Sequence, residues 1–260
     1  MIDRTERGPI TVLEMKHGRA NALDVELCDA LAARLDECLA PSTRAVVITG
    51  QGRMFSAGVD LLRLLDGGAP YVRTLIPSLC RAFERLLDFP KPMVAAVNGH
   101  AIAGGCVIAC GADYRIMASG ASAASGAAGA ESGKIGVPEL LVGVPFPTVA
   151  LEIVRAAVPL HAQRLIYTGR TLSADEAVAE GVVDEVVAPG ALLEAAVHTA
   201  ETLAARPPEA FALTKRQLRA PSVARVAESR ARLDRAVEDL WCADSTLDAI
   251  RRYVERTLKR

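Results

Sequence analysis

Aromatic side chains are scarce in this 260-residue chain: five Phe, four Tyr and one Trp, 4% in all. Yet 51% of the residues are hydrophobic, so small aliphatic side chains, Ala above all, must fill the core. Net charge is nearly absent, with 30 Lys and Arg against 31 Asp and Glu. That balance argues against a broad nucleic-acid face, which needs a basic excess. No apolar run reaches the ~18–20 residues of a membrane span. The opening MIDRTERGPI is too polar for a signal peptide. A cytoplasmic setting is expected, with neither nucleic acid nor membrane as partner. CxxC is also missing. Cys28, Cys38, Cys80, Cys106, Cys110 and Cys242 are scattered, without the tight spacing of a metal site. Cys106 and Cys110, one helical turn apart and near His100, are the one set that offers ligands. The simpler expectation is that the cysteines are small buried hydrophobes and His100 a packed turn residue, with no metal.

The length suits one large domain, or a domain plus an appendage. ITVLEM (10–15) alternates as a strand does. Asn21 or Asp24 is placed to cap a helix through VELCDALAARLDECL, whose apolar residues recur every three or four positions. AVVITG reads as a short buried strand ending at Gly50. QGRMFSAGVDLLRLL reads as a glycine-bearing loop running into a helix, and residues 71–88 as helix. Residues 93–97 read as a strand, 104–112 as a buried helix and YRIMA as another strand. Short buried strands alternating with helices predict an α/β fold with crossover connections, although the units share no clear sequence period. Residues 119–133, only Ser, Gly, Ala and one Glu, have little to bury and are expected to form a mobile loop. Ser173 caps the next helix, with Glu176 at the capping-box position, and VVDEVV reads as a short strand. From Leu192 the chain is expected to be helical, broken at Pro207-Pro208 and at Pro221. Asp113 and Arg115 are expected to form a structural pair.

Two glycine loops stand about forty residues apart, FSAGVDL (55–61) and NGHAIAGG (98–105). Glycine lets a backbone approach a ligand closely, and a helix N-terminus offers free N–H groups. Two such donors meeting on one carbonyl oxygen stabilise an enolate; losing one typically costs ~10²–10³ in rate.

In this order the loops resemble the crotonase superfamily, the enoyl-CoA hydratase/isomerase family. The resemblance extends over nearly the whole chain through NALD (21–24), VVITG (46–50), KPMVAAVNGHAIAGGC (91–106), DYRIMA (113–118), IGVPELLVG (135–143) and the YTGR, SADEA and GVVDEVV segments (167–187). It implies a spiral of ββα units over residues 1–200 and a helical trimerisation region over 201–260, assembled as a homotrimer or a dimer of trimers. It implies a coenzyme A thioester as substrate and no permanently bound cofactor. The oxyanion donors implied are the N–H groups of Val59 and Gly104. Ala57, Val59, Asp60, Leu61 and Gly104 are implied to contact the CoA thioester. Tyr253 and Arg256 match positions from which a neighbouring subunit reaches the nucleotide in similar proteins.

One departure bears on the reaction. Hydratases of the family carry one glutamate directly after the glycine run and another in a GxPE motif. This chain has Val107 at the first position and Glu139 at the second. Adding water across C2–C3 divides water activation and proton delivery between two carboxylates. Moving a double bond from C3–C4 to C2–C3 needs one group that removes a proton at C2 and returns it at C4. A lone base among Val107, Ile135 and Val142 would be desolvated, with a raised pKa, and its surroundings would exclude water. Single-glutamate Δ3,Δ2-enoyl-CoA isomerases are similar in this pattern, and Glu139 is the expected catalytic residue. The alternatives are an acyl-CoA-binding protein without turnover and a weak enoyl-CoA hydratase. Glu131, at the end of the low-complexity loop, is expected to be solvated; as a second acid it would change the chemistry.

Overall fold

The computed structural model describes residues 1–120 and 133–257. Most of the expected 119–133 loop, Glu131 included, lies outside the described residues. The chain opens as a hairpin, β1 (Ile2–Arg7) antiparallel to β2 (Ile10–Met15). β1 has no apolar alternation to announce it, because IDRTER is polar; it forms an edge strand with only Ile2 buried. α1 (Val25–Glu37) follows. Of its two candidate caps Asp24 is the one used: its carboxylate accepts from the Leu27 N–H at 2.8 Å.

Three ββα turns come next. The first is β3 (Ala45–Thr49), β4 (Met54–Ser56) and α2 (Leu61–Asp88), the last interrupted at Gly68. The second is β5 (Met93–Val97), β6 (His100–Ile102) and α3 (Gly104–Gly111). The third is β7 (Tyr114–Ala118), β8 (Ile135–Gly136) and α4 (Glu139–Val142). Then come α5 (Thr148–Ala157), α6 (Ala162–Thr168), β9 (Thr171–Leu172), α7 (Ala174–Ala179) and β10 (Glu185–Val187). The described chain ends in α8 (Leu192–Ala204), α9 (Pro208–Cys242) and α10 (Asp244–Thr257). The capping box at Ser173 and Glu176 forms as expected.

In each ββα turn the first strand joins one sheet and the second strand another. The six-stranded sheet runs β1-β2-β3-β5-β7-β10 and the four-stranded sheet β4-β6-β8-β9. β4, β6 and β8 are mutually parallel, so their C-terminal ends emerge along one edge. The central strands β3 and β5 are buried throughout. Period-2 alternation sends Val46 and Ile48 into the main core with α1 and α2, and Ala45 and Val47 under α8. Among the described residues no helix is long and apolar enough to cross a membrane.

Two expectations are corrected. Pro207-Pro208 does separate α8 from α9, but Pro221 lies inside α9 without breaking it. The helix is tied on both sides of the proline. Lys215 and Arg219 reach Asp113 before it, and Arg225 reaches Glu152 at 2.7 Å after it. Asp113 and Arg115 do not pair with each other. Asp113 accepts from the Met93 N–H at 2.9 Å, Lys215 at 2.6 Å and Arg219 at 2.9 Å, joining β5 to α9. Arg115 pairs with Asp184 at 2.8 Å, just before β10.

Lys215 and Arg219 are largely buried, so removing Asp113 strands two cations. Asp113→Ala is expected to cost about 3–5 kcal/mol, read from urea unfolding, and Asp113→Asn less, because it keeps an acceptor. A loss under about 1 kcal/mol would show that the cluster does not hold α9 to the sheet.

Candidate active site

The first candidate donor lies in the turn between β4 and α2. Leu23 donates its N–H to Gly58 O at 2.7 Å and accepts from the Asp60 N–H at 3.0 Å. This short parallel bridge uses the groups on either side of Val59 and leaves the Val59 N–H on the opposite edge. The second candidate lies in the turn from β6 into α3. Gly104 is the first residue of that helix, so its N–H has no acceptor one turn back. Among the described residues neither N–H finds a backbone acceptor.

The two turns touch. Gly58 has φ +80°, and a Cβ there would fall 2.7 Å from Ala103 Cβ and 3.1 Å from Gly104 N. At Gly105 a Cβ would fall 2.3 Å from Ser56 O. Only backbones without side chains approach this closely. Ala103 takes φ +53°, ψ −123°, a conformation that costs a residue with a Cβ roughly 1–3 kcal/mol. It is held there by its N–H on Gly136 O at 2.8 Å and by its carbonyl, which accepts from the Val107 N–H at 3.1 Å.

Glu139 begins α4 directly after Pro138 and is 9% exposed. Among the described residues its Oε2 has no hydrogen-bond partner. Burial pushes the carboxyl up to about 8; its own backbone N–H opposes the shift and nearby Cys110 adds to it. It faces a cavity of about 80 Å³. Ala57, Val59, Leu61, Gly104, Glu139 and Tyr253 of the sequence-derived set line that cavity, and so does Val107. Among the described residues Glu139 is the one carboxylate on the wall. Apart from it, only Trp241 and Tyr253 bring a polar side-chain atom, and the Trp241 indole N–H is spent on Pro145 O at 2.8 Å.

Other expected residues are placed elsewhere. The Asp60 side chain caps α2, accepting from the Arg63 N–H at 3.0 Å. Arg256 lies in a separate hollow with Leu141, Ala249, Arg252 and Glu255. Tyr253 lines the pocket of its own chain, whereas the resemblance implies a role for it in a neighbour's site. Val107 and Val142 flank the cavity as expected, but Ile135 is buried in β8 beside Ala101 and Leu172. His100 accepts from the Lys134 N–H at 3.2 Å. Cys106 and Cys110 are buried in α3, and the described residues hold no cluster of three such ligands.

Sequence reasoning misses Leu79, Phe83, Phe146, Ala150 and Trp241, which form much of the remaining wall. Leu79 and Phe83 share a face of α2 at i,i+4 spacing, and Trp241 is the only tryptophan in the chain. Those signals mark them as buried without saying what they face.

A family model described as enoyl-CoA hydratase/isomerase matches residues 5–259. A Thermus thermophilus protein named, provisionally, an enoyl-CoA hydratase is 37% identical over 220 residues, 83% of this chain and 82% of its own. The human mitochondrial Δ3-Δ2-enoyl-CoA isomerase has a TM-score of 0.90 at 24% identity, covering 99% of this chain and 98% of that one. At that identity the likeness speaks for the fold. A Mycobacterium tuberculosis protein described in one structure as an enoyl-CoA isomerase has a TM-score of 0.76 at 30% identity, covering 94% of this chain and 98% of its own; another structure of the same protein describes it as a probable enoyl-CoA hydratase.

The raised Glu139 carboxyl sets a stability profile. The unfolded chain loses this proton near 4.5 and the folded chain near 8. Between those values the folded state binds more protons, so stability falls as pH rises through the window. Glu139→Gln removes that slope. Variant and parent are expected to unfold alike near pH 5. At pH 8–9 the variant is expected to be the more stable by several kcal/mol, on the order of 1.4 kcal/mol for each pH unit crossed. A difference in urea midpoint that does not grow with pH would show that the carboxylate is not charged in a dry site.

Proposed function

We propose, starting from the fact that the chain belongs to the enoyl-CoA hydratase/isomerase family, that it moves the double bond of a 3-enoyl-CoA thioester into conjugation, giving the 2-enoyl-CoA. The thioester oxygen accepts from the Val59 and Gly104 N–H groups. The Glu139 carboxylate removes a proton from C2, and the C2–H electron pair delocalises over C2–C4 and onto the thioester oxygen. The same carboxyl, now protonated, returns that proton at C4, leaving the double bond at C2–C3. No proton is gained or lost overall and no water is consumed. The CoA portion runs past the Ala57–Leu61 backbone, with Asp60 taking part through its main chain and Tyr253 on the pocket wall.

The observation that carries this reading is the single carboxylate, among the described residues, on a largely apolar wall. Hydration needs a water molecule held and deprotonated beside the double bond, with a second group to protonate C2. Val107 occupies the place of that second group. Desolvation suits the shuttle: a carboxyl with a pKa near 8 is a stronger base than an exposed glutamate and gives its proton back readily near neutral pH. The two N–H donors act when negative charge develops on the oxygen, where such groups contribute most.

The test is to supply a 3-enoyl-CoA to purified protein and follow the absorbance of the conjugated product. Conversion is expected, and kcat/KM should rise with pH up to about 8, because the base must be ionised. Glu139→Gln is expected to lose about 10²–10⁴-fold, the usual contribution of a general base. Hydration of crotonyl-CoA should be slower by at least about 10²-fold, the usual contribution of the missing second acid–base group. Equal conversion by Glu139→Gln would overturn the assignment of the base. Binding of CoA esters without conversion would make the protein a carrier, and fast hydration would make it a hydratase.

A further inference from the structure

Resting on that acyl-CoA reading, we infer that Trp241 is a specificity-determining residue that closes the acyl end of the pocket, and that the substrates carry short rather than long acyl chains.

The pocket has two chemically distinct parts. Its reacting part holds the Val59 and Gly104 N–H groups and Glu139. Its remaining wall brings together Leu79 and Phe83 from α2, Ala150 from α5, Phe146 from the loop before α5, and Trp241 from the last turn of α9. None of these five leaves a polar side-chain atom free, so this part suits hydrocarbon. The whole cavity measures about 80 Å³. So small a space, bounded by aromatic rings and aliphatic side chains, suits a short acyl chain better than a long one.

Trp241 is fixed in place as a wall rather than a movable flap. It is 3% exposed, and its Nε1–H donates to Pro145 O at 2.8 Å. Two turns earlier on α9, Asp234 accepts from the Thr148 N–H at 2.9 Å and from the Thr148 hydroxyl. The two contacts hold residues 145–148 between them, the segment that also carries Phe146 and Pro147 into the wall. Lengthening the pocket past the indole means breaking this clamp, so a longer chain is excluded sterically.

Saturated acyl-CoA esters test the inference, because they cannot isomerise and report the pocket alone. Trp241 itself supplies the fluorescence signal in the parent protein, and calorimetry supplies binding for the variants. Butyryl-CoA and hexanoyl-CoA are expected to bind and to shift the emission. Decanoyl-CoA should bind at least about 10-fold more weakly, one extra methylene in an apolar pocket being worth 10-fold or more. Trp241→Ala should improve decanoyl-CoA relative to butyryl-CoA by a similar factor. Ala150→Leu fills the same space without touching the clamp, so it guards against an unfolded Trp241 variant; it should weaken hexanoyl-CoA relative to butyryl-CoA. Parent protein that binds decanoyl-CoA as tightly as hexanoyl-CoA would overturn the inference, and so would variants that leave the length profile unmoved. Length discrimination without conversion of any 3-enoyl-CoA would support Trp241 and overturn the isomerase. Conversion without length discrimination would do the reverse.

Discussion

The backbone contact between the turn at Gly58 and the start of α3 is the constraint on which the rest of the site depends. Each group of the proposed site is delivered by the same device. β4, β6 and β8 lie parallel in the small sheet, and each is followed within two or three residues by a group that faces the pocket. Val59 follows Ser56, Gly104 follows Ile102 and Glu139 follows Gly136. Strands in register end together, so three turns far apart in sequence meet at one edge, where open parallel sheets generally place their ligands. The first two turns can meet only because Gly58 and Gly105 carry no side chain. The strained Ala103 backbone then aims the first N–H of α3 at the gap, and the hydrogen bonds on either side of Ala103 hold it there.

The third turn brings a cost of a different kind. A glutamate with an unpartnered Oε2 inside an apolar wall destabilises the fold at any pH where it is charged. Offsetting stability comes from elsewhere in the molecule. α9 is held to the sheet through Asp113, Lys215 and Arg219, and to α5 through Glu152 and Arg225. The same helix carries Trp241 and Asp234 to the pocket wall. Helices at the end of the chain therefore anchor the fold and shape the site at once.

How much of this is legible in the sequence depends on how local the determining interaction is. The cap at Asp24 and the box at Ser173 and Glu176 span three residues each, and both are readable. Buried runs such as AVVIT and MVAAV are readable as strands because both faces are covered. β1 is not: its polar residues pair through the hairpin and leave no apolar alternation to detect. β4, β6 and β8 are two or three residues long, too short for any period, so the repeated ββα device shows only in the sheet order. The pairing of Asp113 with Lys215 and Arg219 spans about a hundred residues and reverses the natural guess that it meets Arg115. Pro221 reads as a break until its anchored neighbours are seen. For the site, glycine loops and Glu139 are visible as motifs, whereas Trp241 and Phe146 are visible only as hydrophobes. That Tyr253 lines its own chain's pocket follows from how α10 packs against α2 and α4, which no local pattern encodes.

Val107 and the apolar lining of the pocket are one choice rather than two. A glutamate at 107 would put a second carboxyl on the wall of a cavity of about 80 Å³ already shared with Glu139. Two carboxylates that close cannot both ionise without raising each other's pKa, and burial has already carried Glu139 to about 8. Neither would then be a competent base near neutral pH unless water or new hydrogen-bond donors entered to solvate the pair. A site that adds water must therefore be wetter throughout, with polar groups where this chain has Val142, Phe146 and Trp241. An apolar residue at 107 permits the opposite arrangement. One carboxylate keeps a high but usable pKa and the wall around it stays hydrocarbon, which is the arrangement the proposed proton shuttle requires.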